Sequence, residues 1–144
     1  MKIMIDASVI LAATLTPCRE YDVLIRECSA PPNELLICTI DAIDAMRVGM
    51  AISEQAERAI EVFLTLLECE MIDPPRPKRI PSTLPSRAVL SVISADVCRA
   101  EWFLTFTNDF RGLRPRQLRI AHPRCFLRNY LKMLRAQDEA QAFK

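Results

Sequence analysis

No apolar run in this chain approaches the roughly 18 residues that a membrane-spanning helix needs. The first apolar segment is interrupted by Asp6 and is followed by no small-residue cleavage pattern, so no secretory signal is expected. Cys-x-x-Cys pairs are missing too. The six cysteines, Cys18, Cys28, Cys38, Cys69, Cys98 and Cys125, are therefore expected as reduced thiols of a cytoplasmic protein. His122-Pro-Arg-Cys125 is the sole His/Cys proximity, and two ligands do not make a zinc site. Internal repeats and low-complexity tails are absent. The most informative absence is local: between Phe110 and Gln137 there is no acidic residue.

That acid-free segment carries Arg111, Arg114, Arg116, Arg119, Arg124, Arg128, Lys132 and Arg135, although the net charge of the chain is only +1. The balancing acids lie upstream, where Glu34, Asp41, Asp44, Glu54, Glu57, Glu61, Glu68, Glu70 and Asp73 face only Arg47 and Arg58. A basic end and an acidic middle suit an anionic partner on one face, or self-association through opposite patches. Arg124, Arg128, Lys132 and Arg135 recur every three or four residues and so share one helical face. That face is either solvated or a ridge for phosphate or a partner.

A chain of 144 residues is expected as one domain burying roughly 70% of its unfolded surface. Its organising stretch is Lys2-Ile3-Met4-Ile5-Asp6-Ala7-Ser8-Val9-Ile10-Leu11, a buried strand turning directly into a helix. Asp6 then sits at the carboxyl end of a strand, where open α/β sheets keep their ligand sites, and it also suits a cap for the following helix. A helix over 18–30 ends at Pro31-Pro32. Leu35–Thr39 makes a buried strand. A helix over 41–51 presents Ile43, Met46 and Met50 on one face. Ser53 caps the next, which runs to about Glu70 with Ala56, Ile60, Phe63, Leu64 and Leu67 inward, and Met71-Ile72 adds a few extended residues. Five prolines between Asp73 and Pro85 forbid helix and central strand. Ser86 opens a helix to about Glu101 with core face Val89, Val92, Ile93 and Val97. Strands follow at Trp102–Thr107 and Leu118–Ala121, with a turn around 108–112. Pro123 starts a last helix over about 123–137, with stripe Phe126, Leu127, Tyr130, Leu131 and Leu134. Alternating strands and helices predict a three-layer α/β/α sandwich around a mainly parallel sheet of four to five strands.

This order, with Ile3-Met-Ile-Asp6-Ala-Ser-Val-Ile-Leu11 at the start, Phe103-Leu-Thr-Phe-Thr-Asn-Asp-Phe110 near the end and Pro123-Arg-Cys-Phe-Leu127 after it, resembles the PIN domain. The likeness is closest to the toxin branch of toxin–antitoxin systems and covers residues 2 to about 134. It implies an endoribonuclease dependent on Mg²⁺ or Mn²⁺, a homodimer, RNA as target and an inhibitory antitoxin peptide as partner. Hard cations take oxygen ligands, so three or four carboxylates must converge from different strand ends to activate water at a phosphate.

Counted in that register, Asp6 matches the first acid. The second falls on Ala45, beside Asp44 and one turn from Asp41, both of which suit solvated helix positions. The third falls among Ser86, Arg87, Ala88 and Val89, since Asp96 is two turns too far along. The fourth falls on Thr107, leaving Asp109 as a displaced candidate. The expectation is a PIN-like domain with a degenerate metal site, acting as a non-enzymatic or weakly active RNA- or protein-binding module. The alternative is an active Mg²⁺-dependent endoribonuclease using Asp6, Asp44 and Asp109, with metal at Asp6. A haloacid-dehalogenase-like phosphatase is disfavoured because Ser8 stands where its second Asp belongs, and a phosphoaspartate receiver because its acidic pair and lysine are missing.

Overall fold

The computed structural model describes residues 1–75, 86–108, 110 and 117–143, with backbone alone at 86–88. The elements are β1 (Lys2–Ile5), α1 (Ala7–Leu15), α2 (Arg19–Ser29), β2 (Glu34–Cys38), α3 (Thr39–Ile52), α4 (Glu54–Leu66), β3 (Glu70–Ile72), α5 (Ser86–Val97), β4 (Trp102–Leu104), β5 (Arg119–Ala121) and α6 (Pro123–Ala142). Residues 76–85 of the proline-rich stretch, and 109 and 111–116 of the expected turn, lie outside the described residues.

The strands form one five-stranded sheet in the order β3-β2-β1-β4-β5, and every pairing is parallel. β1 is central. Its successor β2 lies on one side and β4 on the other, so the connections diverge between β1 and β4. Ligand crevices of open sheets form at the carboxyl ends of strands at such a divergence. Alternation along β1 divides the core. Ile3 and Ile5 join Val9, Ile10, Leu24, Leu35, Ile37, Ala45, Ile60 and Phe126 on one face. Met4 joins Leu36, Val92, Ala95 and Phe103 on the other. Each such Ile, Leu or Phe, once fully buried, contributes about 1.5–3 kcal/mol.

Two helical faces differ from expectation. On α3 the buried residues are Asp41, Ala42, Ala45 and Gly49, while Ile43 is 51% and Met50 60% exposed. The reason is the close approach of α4: a Cβ on Gly49 would stand 2.5 Å from Ile60 Cδ1 and 3.3 Å from Glu57 Cα. No side chain fits at Gly49, and Ile43 and Met50 point outward while Met46 packs partly buried against the core. On α5 the inward residues include Val89, Ser91, Val92, Ser94 and Ala95, and Val97 is 64% exposed. Ends shift as well. Helix α4 stops at Leu66 rather than near Glu70. The strand expected over 102–107 stops at Leu104, because Thr107 N–H donates to Thr105 Oγ1 at 3.1 Å and folds the chain into a hydroxyl-capped turn. Among the described residues no helix is long and apolar enough to cross a membrane.

Candidate functional site

Three strand ends build the site. Asp6 follows β1, Asp41 lies in the first turn of α3 after β2, and Thr105 follows β4. Asp6 is the N-cap of α1. Its Oδ1 accepts from Val9 N–H at 3.2 Å and from the Ser8 hydroxyl, and its Oδ2 accepts a short hydrogen bond from Thr105 Oγ1. Ser8 Oγ in turn accepts from Phe106 N–H at 3.0 Å, tying the first turn of α1 to the end of β4. Asp41 Oδ1 accepts from Ala7 N–H at 3.2 Å, and its Oδ2 from Ser91 Oγ of α5 at 2.8 Å.

Asp6 and Asp41 are 5% and 7% exposed, and among the described residues no buried side-chain polar atom lacks a hydrogen-bond partner. Burial pushes the Asp41 carboxyl up to about 7. The hydrogen bonds from Ser91 and Ala7 N–H pull it down, and the charges of Asp6 and Asp44 push it further up. Asp6 is also raised, by burial, against the lowering hydrogen bonds of Ser8, Thr105 and Val9 N–H. Two carboxyls that repel one another therefore share the crevice, and the Asp41 carboxyl exchanges a proton near neutral pH.

The expected site residues are distributed unevenly. Asp6 occupies its expected place at the end of β1 and caps α1. Asp44 lies on α3, partly buried, and its charge reaches Asp41. Asp109, Arg111, Arg114 and Arg116 lie outside the described residues. Arg119 lies over the Trp102 ring, 5.3 Å from its centroid. Arg124 pairs with Glu20 at 3.3 Å and covers Tyr21. Arg128, Lys132 and Arg135 are exposed along α6.

Asp41, expected as a solvated helix residue, is buried instead, because α1, α3 and α5 meet around it. Ser8, Ser91 and Thr105 were not anticipated. For Asp41 and Thr105 a signal exists: each stands within three residues of the end of an apolar strand run, as Asp6 does.

Hard oxygen donors suit Mg²⁺ or Mn²⁺, but the fit is incomplete. Asp6 already accepts hydrogen bonds from Ser8, Val9 N–H and Thr105, and Asp41 from Ala7 N–H and Ser91. Among the described residues no group of three or more His, Cys, Asp or Glu is placed to hold a metal ion.

No family model matches the chain, and no curated protein does. Solved structures do. The chain is similar to one in the structure of VapBC2 from Rickettsia felis bound to a DNA fragment from their promoter. The TM-score is 0.63 at 16% identity, over 83% of this chain and 98% of that one. It is also similar to a chain of VapBC-1 from nontypeable Haemophilus influenzae, with TM-score 0.58 at 17% identity, over 85% of this chain and 98% of that one. The chain has the fold of PIN-domain VapC proteins. Among the described residues, the carboxyl ends of β1, β2 and β4 in this PIN fold place the carboxylates of Asp6 and Asp41 among hydroxyls.

Proposed function

We propose that the chain is a single-domain PIN-like protein with a degenerate metal site, a non-enzymatic or weakly active RNA- or protein-binding module related to toxin–antitoxin ribonucleases. One observation carries the reading: hydroxyls and backbone amides do for Asp6 and Asp41 what a cation does in a metal site. Ser8, Thr105 and Ser91 supply the hydrogen bonds, and a raised pKa relieves the remaining repulsion by a proton. Exposed Arg128, Lys132 and Arg135 offer phosphate contacts. The antitoxin-like partner follows from the similarity to chains of VapBC complexes. A homodimer is supported by the apolar surface of α3, where Ile43, Met50 and Ile52 are 51%, 60% and 60% exposed.

The second reading, a Mg²⁺-dependent endoribonuclease using Asp6, Asp44 and Asp109, is favoured by the mutual repulsion of Asp6 and Asp41, which a bound cation relieves. Calorimetric titration of Mn²⁺ into wild type and Asp6→Ala separates the two. The degenerate site gives no saturable heat in either protein. Saturable binding abolished by the substitution overturns the degenerate-site reading.

A further inference from the structure

A second crevice lies at the opposite, amino end of the sheet, where β4 and β5 begin and α6 crosses them. Its volume is about 280 Å³, just under the roughly 300–1,000 Å³ of sites for drug-sized ligands, which suits one base with its sugar. The floor is aromatic. Trp102 meets Phe126 edge-on at 5.1 Å between centroids, and Phe126 stacks on Tyr130 at 5.7 Å. The Arg119 guanidinium lies over the Trp102 ring. Around this floor stand the side chains of Glu101, Gln117 and Asn129, and among the described residues none of the three has a hydrogen-bond or ionic partner. Trp102 and Thr105 are three residues apart on β4 and its extension, so this crevice lies about 10 Å along the strand from the carboxylate pair.

We propose that this crevice binds a guanine base, presented either by free guanosine or by an unpaired nucleotide of RNA. An extruded base is held by stacking on aromatic or guanidinium planes and by hydrogen bonds along its edges. Both halves are present here. One carboxylate and one guanidinium face a single pocket, and of the four RNA bases guanine complements that pair best. Its N1–H and N2–H₂ form adjacent donors for the Glu101 carboxylate, and its O6 and N7 form adjacent acceptors for a guanidinium such as that of Arg119. Adenine offers no such donor pair, and cytosine and uracil lack the N7 acceptor. The amides of Gln117 and Asn129, each both donor and acceptor, are left for the sugar.

Trp102 is the sole tryptophan of the chain, so its fluorescence reports this crevice alone. Guanosine and adenosine are titrated into the full chain, together with two short single-stranded RNAs, one carrying a single guanosine among adenosines and one of adenosines only. Guanosine is expected to quench Trp102 saturably. Adenosine binds about tenfold more weakly or worse, the scale of one bidentate base contact. Glu101→Gln loses that discrimination, with an unchanged far-ultraviolet dichroism spectrum showing that it folds, while Asp41→Asn keeps it. Tighter binding of the guanosine-bearing RNA than of guanosine assigns the base to RNA, and equal binding assigns it to the free nucleoside. The proposal is overturned if neither guanosine source saturates the signal, if adenosine binds as well as guanosine, or if Glu101→Gln binds guanosine like wild type. None of these outcomes depends on metal at Asp6, so this proposal and the degenerate-site reading fail separately.

Discussion

The two ends of the sheet handle polar groups in opposite ways. At the carboxyl end Asp6, Asp41, Ser8, Ser91 and Thr105 are drawn inward and bonded to one another and to backbone amides. At the amino end Glu101, Gln117 and Asn129 surround an aromatic floor, and among the described residues none of their side chains has a partner. A closed network holds the fold in one arrangement and offers little to a ligand, because each hydrogen bond must be broken to make a new one. An open set contributes nothing to stability and keeps its full capacity for a guest. In this molecule the carboxyl end of the sheet is the more tightly bonded of the two.

The comparison breaks first, and most strongly, through pH. A carboxyl whose pKa rises on folding holds its proton more tightly in the folded than in the unfolded chain. Below about 4 both states are protonated. Between the ordinary 3.8 and the folded value of about 7 for Asp41, the folded state binds the extra proton. Stability therefore falls as pH rises through that window and levels off above it, by ~2–4 kcal/mol in all. Thermal denaturation should give a higher midpoint at pH 5.5 than at pH 8, and Asp41→Asn should flatten the difference. An unchanged pH profile in that variant removes Asp41 as the responsible group.

Next in size is Thr105→Val. It keeps the shape of the side chain but takes the hydroxyl from Asp6 Oδ2. Leaving a buried carboxylate oxygen without its donor costs about 1–3 kcal/mol in urea unfolding at pH 8. The cost should shrink at pH 5, where Asp6 is more readily protonated. At the open end, Asn129→Ala should change the unfolding free energy by less than about 0.5 kcal/mol, since an exposed side chain with no partner among the described residues contributes little. The smallest structural effect is expected of Arg124→Gln. Its ion pair with Glu20 lies between half-exposed side chains, so stability should hardly move. If α6 binds RNA phosphate, the slope of log affinity against log salt should fall by about one. A slope unchanged by this substitution leaves Arg124 to its intramolecular partners.

The sequence disclosed what depends on contiguous pattern. The run Ile3–Ile5 ending in Asp6, the cap at Ser53 and Pro123 at the head of the last helix are local signals, and each element begins where it was expected, although the last helix runs on past 137 to Ala142. The order of strands and helices then left few topologies open, and the parallel sheet followed. Misplaced residues share a cause. Hydrophobic periodicity assumes that the largest apolar side chains point inward, but the buried residues of α3 are Asp41, Ala42, Ala45 and Gly49, and at Gly49 the approach of α4 leaves no room for a side chain. Ile43 and Met50 were assigned to the wrong side for that reason. Asp41 was missed because its burial is a property of three elements meeting, with Ala7 and Ser91 lying 34 and 50 residues away in the chain. No window along one helix contains that information.

The bond between Thr105 and Asp6 spans 99 residues, and this has a consequence for the chain as it is made. Synthesis proceeds from the amino terminus at roughly 5–20 residues per second. A nascent chain that has emerged through α4 holds β1, β2 and the first four helices, yet lacks the strand that completes the sheet on the other side of β1. During the several seconds before β4 arrives, Asp6 has Ser8, the first turn of α1 and Asp41 of α3 beside it but not Thr105, and one edge of the central strand is bare. A central strand awaiting a distant partner is a slow, high-contact-order step and an open edge for unwanted pairing. The β1–β4 pairing, and the carboxylate centre with it, is therefore a late event on the ribosome, and it closes the edge that a stalled chain would leave open to its neighbours.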